Sequence, residues 1–319
     1  MSLGFAPTGT YVAMLTPMNA DESLRLDVVP GQVDRFVDAG IDGLFCVGTN
    51  GEAYALGHAE KLDVIAAVVA AARGRLPVCA GVGCITTRET VELAREAEKA
   101  GADLLAVVTP YYTEVSQPEL ERHYRAVADA VTVPIMLYNI PARTGNALSA
   151  ETVARLSGVE RIVGIKDSSG SMDTLRGFLR SAHPGFAVFS GSDALLLEGL
   201  RAGTVGAVSG LANVVPGLVS AIYDTWKRGE MTAAQAAQAE LIGLRDILPL
   251  GNAVSVVKRA VNVLGWPLGP SRAPVSGIAP ENEERLRAVL ERSEAARAAR
   301  APGAARAHVA TRETKEDSA

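Results

Sequence analysis

Short apolar runs alternate with amphipathic stretches of helical period from residue 11 to about residue 228. The runs occupy residues 11–17, 43–49, 77–83, 104–110, 134–140, 161–167, 186–192 and 205–210. Between them, segments such as 27–40, 59–74, 87–101 and 118–131 return an apolar residue every three or four positions, the period of a helix packed on one side. Gly40, Gly74 and Gly101 close three of these segments, the expected helix stop. Each strand-like run is apolar throughout rather than alternating, which predicts a parallel sheet buried on both faces. Eight such runs with intervening helices predict a closed (β/α)8 barrel, a TIM barrel of the α/β class, over residues 1–228. A doubly wound open sheet is the rival, because spacing alone does not show closure.

From residue 229 the strand signal stops. Residues 232–248, 252–265 and 281–300 read as three helices of a C-terminal helical domain, 229–300, with a proline-rich connection from Trp266 to Pro280. Residues 301–319 carry Ala, Arg and charge without apolar periodicity, so a disordered tail is expected there.

Composition narrows the function classes. The 319 residues are 48% hydrophobic and 21% charged, the balance of a soluble globular protein. A net charge of -5 argues against nucleic acid or an anionic membrane as partner. No apolar run reaches the roughly 18 residues of a membrane span, and the start, MSLGFAPTGT, lacks the basic and apolar regions of a signal peptide. A cytoplasmic protein is therefore expected. Cys46, Cys79 and Cys84 read as buried reduced thiols. His58, His123, His183 and His308 show no ligand spacing with each other or with cysteine, so no metal is expected.

In a barrel of this kind the chemistry lies at the C-terminal ends of the strands. Lys166 ends the apolar run 161–165, where desolvation would lower its pKa and leave a nucleophilic amine able to attack a ketone. The alternative is a lysine just past the strand end, reaching to solvent or paired with Asp167. Tyr138 ends another run, where a phenol could relay protons, and Thr49 and Tyr112 supply hydroxyls at two more ends. Tyr111 and Tyr112 are adjacent, so at most one points into the site. The turn Gly48-Thr49-Asn50-Gly51-Glu52 offers backbone amides and a hydroxyl to a carboxylate, although a plain tight turn looks the same. Arg143 could clamp a second carboxylate or sit in a surface ion pair.

Five motifs in order carry a family resemblance: GTNGE at 48–52, VVTPYY at 107–112, YNIPARTG at 138–145, GIKDSSG at 164–170 and SGSD at 190–193. Over roughly residues 8 to 295 the chain resembles the superfamily of dihydrodipicolinate synthase and N-acetylneuraminate lyase, the class I pyruvate-dependent aldolases. The resemblance implies a barrel with a C-terminal helical domain, assembled as a homotetramer of tight dimers or as a homodimer, with no metal or organic cofactor. It implies that Lys166 forms the Schiff base and that Tyr138, Thr49 and Tyr112 relay protons, Tyr112 from across a subunit interface. Thr49, Asn50 and Gly51 would hold the pyruvate carboxylate, and the backbone at Gly191 and Val208 would line the pocket. Arg143 matches the arginine that receives aspartate semialdehyde in dihydrodipicolinate synthases. Asn50 stands where those synthases carry a second threonine. That feature and the ending at 269–274 also resemble 4-hydroxy-2-oxoglutarate and 2-keto-3-deoxy sugar acid aldolases, which tend to lack the arginine. His58, Glu89 and Tyr111 match the synthases' lysine-binding pocket, but Ile85 replaces a polar residue, which argues against lysine inhibition.

The expected function is thus condensation of pyruvate with L-aspartate 4-semialdehyde to 4-hydroxy-tetrahydrodipicolinate, a step of lysine biosynthesis. The alternative is cleavage or dehydration of a hydroxylated 2-keto acid through the same imine. A non-catalytic keto-acid sensor on this scaffold is the remote third reading, against which the intact lysine and relay set speaks.

Overall fold

The computed structural model describes residues 6–302. Eight parallel strands close a barrel in chain order: β1 (Gly9–Ala13), β2 (Gly43–Cys46), β3 (Val78–Gly81), β4 (Leu104–Val108), β5 (Ile135–Asn139), β6 (Ile162–Asp167), β7 (Ala187–Ser190) and β8 (Gly206–Ser209). Closure is made by β1 against β8, with Tyr11 opposite Val208. The open-sheet rival fails there. All eight strands fall on the apolar runs of the sequence.

Around the barrel run α1 (Val29–Asp38), α2 (His58–Ala72), α3 (Thr87–Lys99), α4 (Gln117–Ala130), the single turn α5 (Pro141–Thr144), α6 (Ala150–Leu156), α7 (Met172–Ser181), α8 (Leu196–Ala202) and α9 (Pro216–Lys227). Their first turns face the strand ends where the site should lie, and polar caps fix several of them. Thr86, Ser149 and Ser171 each accept the N3 amide of the helix they open, and Ser116 with Glu119 forms a capping box on α4. Such caps satisfy amides that the helix itself cannot.

Two layers of core follow from the strand period of two. Tyr11, Phe45, Met136, Phe189 and Val208 point inward and fill the barrel, while Leu44, Leu137, Ile165 and Val188 point outward against the helices. One irregularity matters for the site. Ile135 pairs with Ile162 but Met136 pairs with Gly164, so β6 carries an extra residue at Val163. That bulge re-aims the rest of β6 and brings Lys166 level with Tyr138.

Beyond β8 come α10 (Met231–Leu244), α11 (Ala253–Val263), α12 (Pro280–Arg292) and α13 (Glu294–Ala298). Two departures from the sequence reading appear. The first of the three expected helices tightens after Leu244 into a 3-10 segment, Arg245–Leu250, which contains Pro249. The last breaks at Ser293, whose hydroxyl accepts the Ala296 amide at 3.0 Å and donates to Glu240 at 2.7 Å. A serine that bonds locally competes with the helix ladder. Among the described residues no helix is long and apolar enough to cross a membrane. Cys46, Cys79 and Cys84 are free and buried. The tail expected from residue 301 lies, after its first two residues, outside the described residues.

Candidate active site

Lys166 is 4% exposed at the end of β6. Its Nζ lies 4.0 Å from the centre of the Tyr138 ring and 4.5 Å from that of Phe45. The alternation of the strand sends Asp167 to the opposite face, where it accepts from Asn139 at 2.7 Å and from the Ser169 hydroxyl at 2.7 Å. A Lys166–Asp167 pair is thereby excluded. Among the described residues Lys166 forms no ion pair. Gly191 leaves little room beside it: a Cβ there would stand 2.1 Å from the Ser168 hydroxyl, 3.0 Å from the Asp167 carbonyl oxygen and 3.1 Å from Lys166 Cε, so these neighbours would have to shift.

Tyr138 ends β5, buried, with Phe45 edge-on at 5.9 Å between centroids. Its hydroxyl is 3.1 Å from that of Thr49. Burial pushes the phenol up, but the Lys166 ammonium and the hydroxyls of Thr49 and Ser168 outweigh it and hold the phenol below its ordinary value. Lysine, phenol and threonine thus lie together, Lys166 and Tyr138 buried and Thr49 half-buried.

The turn after β2 is built tightly. Val47 and Glu52 both have positive φ, 54° and 56°. Gly51 is pressed against β1: a Cβ would meet Met14 O at 3.1 Å, and its carbonyl accepts Thr16 Oγ1 at 2.6 Å. Asn50 leans the other way, its Nδ2 only 2.8 Å from where a Cβ on Gly210 would be. Val208 contributes to the barrel filling with its side chain buried.

A cavity of about 310 Å³ opens over these strand ends. Thr49, Tyr138, Phe45, Tyr111, Arg143 and Tyr54 are among the residues that line it. Phe45 and Tyr138, whose rings face the Lys166 amine, line the cavity, whereas Lys166, Asn50, Gly51, Gly191 and Val208 do not. The guanidinium of Arg143, on α5, has no hydrogen bond or ion pair among the described residues, which removes the surface ion-pair reading. Tyr111 is the tyrosine of the pair that lines the cavity. Tyr112 is 96% exposed with φ of 76° and does not meet Thr49 or Tyr138 within one chain. A left-handed aromatic residue costs roughly 1–3 kcal/mol, a strain that the surrounding loop must hold.

Several participants escaped the sequence reading. Asn252, Val254 and Val275 from the C-terminal segment also line the cavity. Asp193 is buried, accepting from Ser209 Oγ and from the Leu211 amide, and burial pushes its carboxyl up against those bonds and the charges of Arg245 and Lys166. Lys258 is 1% exposed and bonds Glu52 at 2.7 Å. Its signal was present in the sequence as one charge on the apolar stripe Val254, Val257, Val261 of a helix. Among the described residues no group of three His, Cys, Asp or Glu side chains could hold a metal.

Comparison with known proteins adds to this geometry. Residues 6–293 match the model of the dihydrodipicolinate synthetase family. An uncharacterized DapA-like lyase of Halobacterium salinarum is 40% identical over 282 residues, covering 88% of this chain and 92% of that protein. A 4-hydroxy-tetrahydrodipicolinate synthase of Methanopyrus kandleri is 38% identical, covering 91% and 97%. The crystal structure of YagE, an Escherichia coli prophage protein of the dihydrodipicolinic acid synthase family in complex with pyruvate, superposes with a TM-score of 0.88 at 33% identity, covering 90% of this chain and 98% of that one.

Proposed function

This chain belongs to the dihydrodipicolinate synthetase family of class I aldolase-type lyases, and we propose that it condenses pyruvate with L-aspartate 4-semialdehyde through an imine on Lys166. The observation that carries the proposal is the buried Lys166 side chain, without an ion pair among the described residues, beside a Tyr138 phenol bonded to Thr49.

In this reading the Lys166 amine attacks C2 of pyruvate, and Tyr138 with Thr49 carries protons while the carbinolamine loses water. The protonated imine withdraws electrons from C3, a proton leaves, and the resulting enamine attacks the aldehyde carbon. Asn50 and the amides of the 48–52 turn hold the pyruvate carboxylate, and the backbone at Gly191 and Val208 borders the pyruvate methyl. The Arg143 guanidinium, without a hydrogen bond or ion pair among the described residues, takes the semialdehyde carboxylate through two parallel charge-assisted hydrogen bonds. The semialdehyde's amine then adds to C2 of the Lys166 imine and displaces the lysine amine, which closes the ring, frees the enzyme and releases 4-hydroxy-tetrahydrodipicolinate, used for lysine biosynthesis. No metal or organic cofactor is needed, because the imine is the electron sink.

Tyr112 enters from a second copy of the chain. Among the described residues Tyr54, Ile85 and Tyr112 are three of the four exposed large hydrophobic side chains, and they follow the adjacent strands β2, β3 and β4. A dimer through these loops, or a tetramer of such dimers, would cover them. The cytoplasm suits three free thiols. Residues 1–228 and 229–300 serve as the barrel and its C-terminal helical domain.

The test is borohydride trapping with pyruvate followed by turnover with aspartate semialdehyde. A pyruvate-derived mass on the Lys166 peptide and release of the cyclic product are expected. One observation favours a second reading: among the described residues no carboxylate side chain lines the cavity, so the semialdehyde's ammonium would find no counter-charge there. A hydroxylated 2-keto dicarboxylic acid needs none. Trapping at Lys166 with cleavage of 4-hydroxy-2-oxoglutarate, and none of the semialdehyde reaction, would establish that alternative.

A further inference from the structure

The turn that carries Thr49 and Asn50 is gripped from a helix 206 residues further on. Glu52 closes the turn, wholly buried and in the left-handed backbone conformation. One carboxylate oxygen accepts Lys258 Nζ at 2.7 Å and the other accepts the Arg272 amide at 2.8 Å. The turn's own bonds radiate from the same point, Glu52 N to Thr49 O and Ala53 N to Gly48 O, each at 3.2 Å. Arg272 extends the grip, its guanidinium bonding both oxygens of Glu60 at 2.8 Å, the Ala55 carbonyl at 2.8 Å and the Glu22 carbonyl.

Stability alone is a poor reason for such a pair. Two charges taken fully out of water lose solvation that their attraction hardly recovers, and apolar residues of like volume often serve a fold as well. Geometry is a better reason. A carboxylate meeting two fixed donors sets the position and rotation of the turn, where an apolar contact would let it slide. What depends on that position is the Thr49 hydroxyl at 3.1 Å from Tyr138 and Asn50 against Gly210.

We propose that Glu52 and Lys258 are positioning residues that hold the 48–52 turn in register with Lys166 and Tyr138, so that the C-terminal helices complete the pyruvate half of the site. The inference rests on Lys166 being the imine-forming residue, and the test separates the two.

The measurement is the pyruvate concentration that half-saturates borohydride trapping, which needs no second substrate. Glu52→Gln leaves one carbonyl for two buried donors. Lys258→Arg keeps the charge, and with it the fold, but changes the length and shape of the contact. In both variants half-saturating pyruvate should rise about tenfold or more while the adduct stays on Lys166. Melting of Lys258→Arg should stay within a few degrees of wild type. A purely structural pair would lower the trappable fraction and the melting temperature together, leaving half-saturation unchanged. The double variant Glu52→Gln, Lys258→Met removes the buried charges. It should regain stability over Glu52→Gln yet keep the raised half-saturation. Half-saturation within twofold of wild type in folded Lys258→Arg and the double variant would overturn the proposal. Wild-type protein that pyruvate and borohydride do not label at Lys166 would instead sink the imine reading, and the positioning role with it.

Discussion

Lys166 and Tyr138 are buried at the ends of barrel strands, and Thr49, half-buried in the turn after β2, meets the Tyr138 hydroxyl. Arg143, Tyr54 and Asn252 ride on a single α-helical turn, a 3-10 turn and a helix cap, more exposed and without direct bonds to one another among the described residues. The first group is held by the sheet ladder and by the packing of the barrel filling. The second is held by loops, whose positions depend on fewer contacts. The difference separates two tasks. Making an imine needs an amine and a proton relay fixed to within fractions of an ångström. Choosing the partner needs a surface that can change without disturbing the first.

The contrast is broken most severely at the amine. Lys166→Met replaces the nucleophile with a side chain of similar volume in a buried slot, so the fold should persist. Turnover should fall by on the order of 10⁴ or more, since no other group can form the covalent intermediate. Borohydride with pyruvate should add no mass at any lysine. An adduct on Lys61, Lys99 or Lys258 would move the chemistry out of the buried half.

The relay should come next. Tyr138→Phe keeps the ring against Phe45 and removes only the hydroxyl that meets Thr49. A loss of roughly 10² to 10⁴ in kcat is expected, the range for a positioned acid–base group. Thr49→Val should follow it, with far-ultraviolet circular dichroism unchanged in both. If both variants turned over normally, the proton path would run outside the buried half.

What could be read from the sequence follows the same division. The strand runs, Lys166 and Tyr138 were legible because burial on both faces writes a continuous apolar run, and a lysine or phenol at its end stands out. Arg143 was legible as a residue, but its freedom from ion pairs was not. Glu52–Lys258 was hidden, since no local pattern names a partner 206 residues away. The bulge at Val163 left no mark either, because an extra apolar residue in an apolar run changes nothing that periodicity can see. Tyr112 shows the limit of a motif: VVTPYY gave the residue, while its backbone at positive φ turns it out of the chain's own site.

The exposed half should respond more mildly and only toward the second substrate. Arg143→Ala should lower kcat/KM for aspartate semialdehyde by about 10²-fold, about 2.7 kcal/mol, the value of a bidentate charge-assisted clamp. Half-saturation of pyruvate trapping should stay within twofold. Equal losses for both substrates would erase the distinction between the halves.

The smallest effect on activity is expected from acid, which should act on the scaffold that carries both halves. His123 on α4 is 4% exposed, with Nδ1 at 2.9 Å from the Thr87 hydroxyl and Nε2 buried without a partner among the described residues. Burial lowers its pKa from 6.5 to about 4, because the charged ring would lose water and gain no counter-charge. The unfolded chain therefore takes up the proton first as pH falls below the ordinary histidine value. Stability contributed by the neutral ring is full above that value and declines between pH 6.5 and 4. The loss should reach about 2 kcal/mol by pH 5 and roughly 3 kcal/mol once both states are protonated. Urea unfolding of wild type and His123→Gln at pH 7 and pH 5 isolates this contribution, because the carboxylates common to both cancel in the difference. The variant should show the shallower fall. At pH 7 its pyruvate trapping should match wild type, since His123 belongs to neither half of the site. A wild-type protein that loses no more stability than the variant between the two pH values would show that the ring finds a counter-charge on protonation.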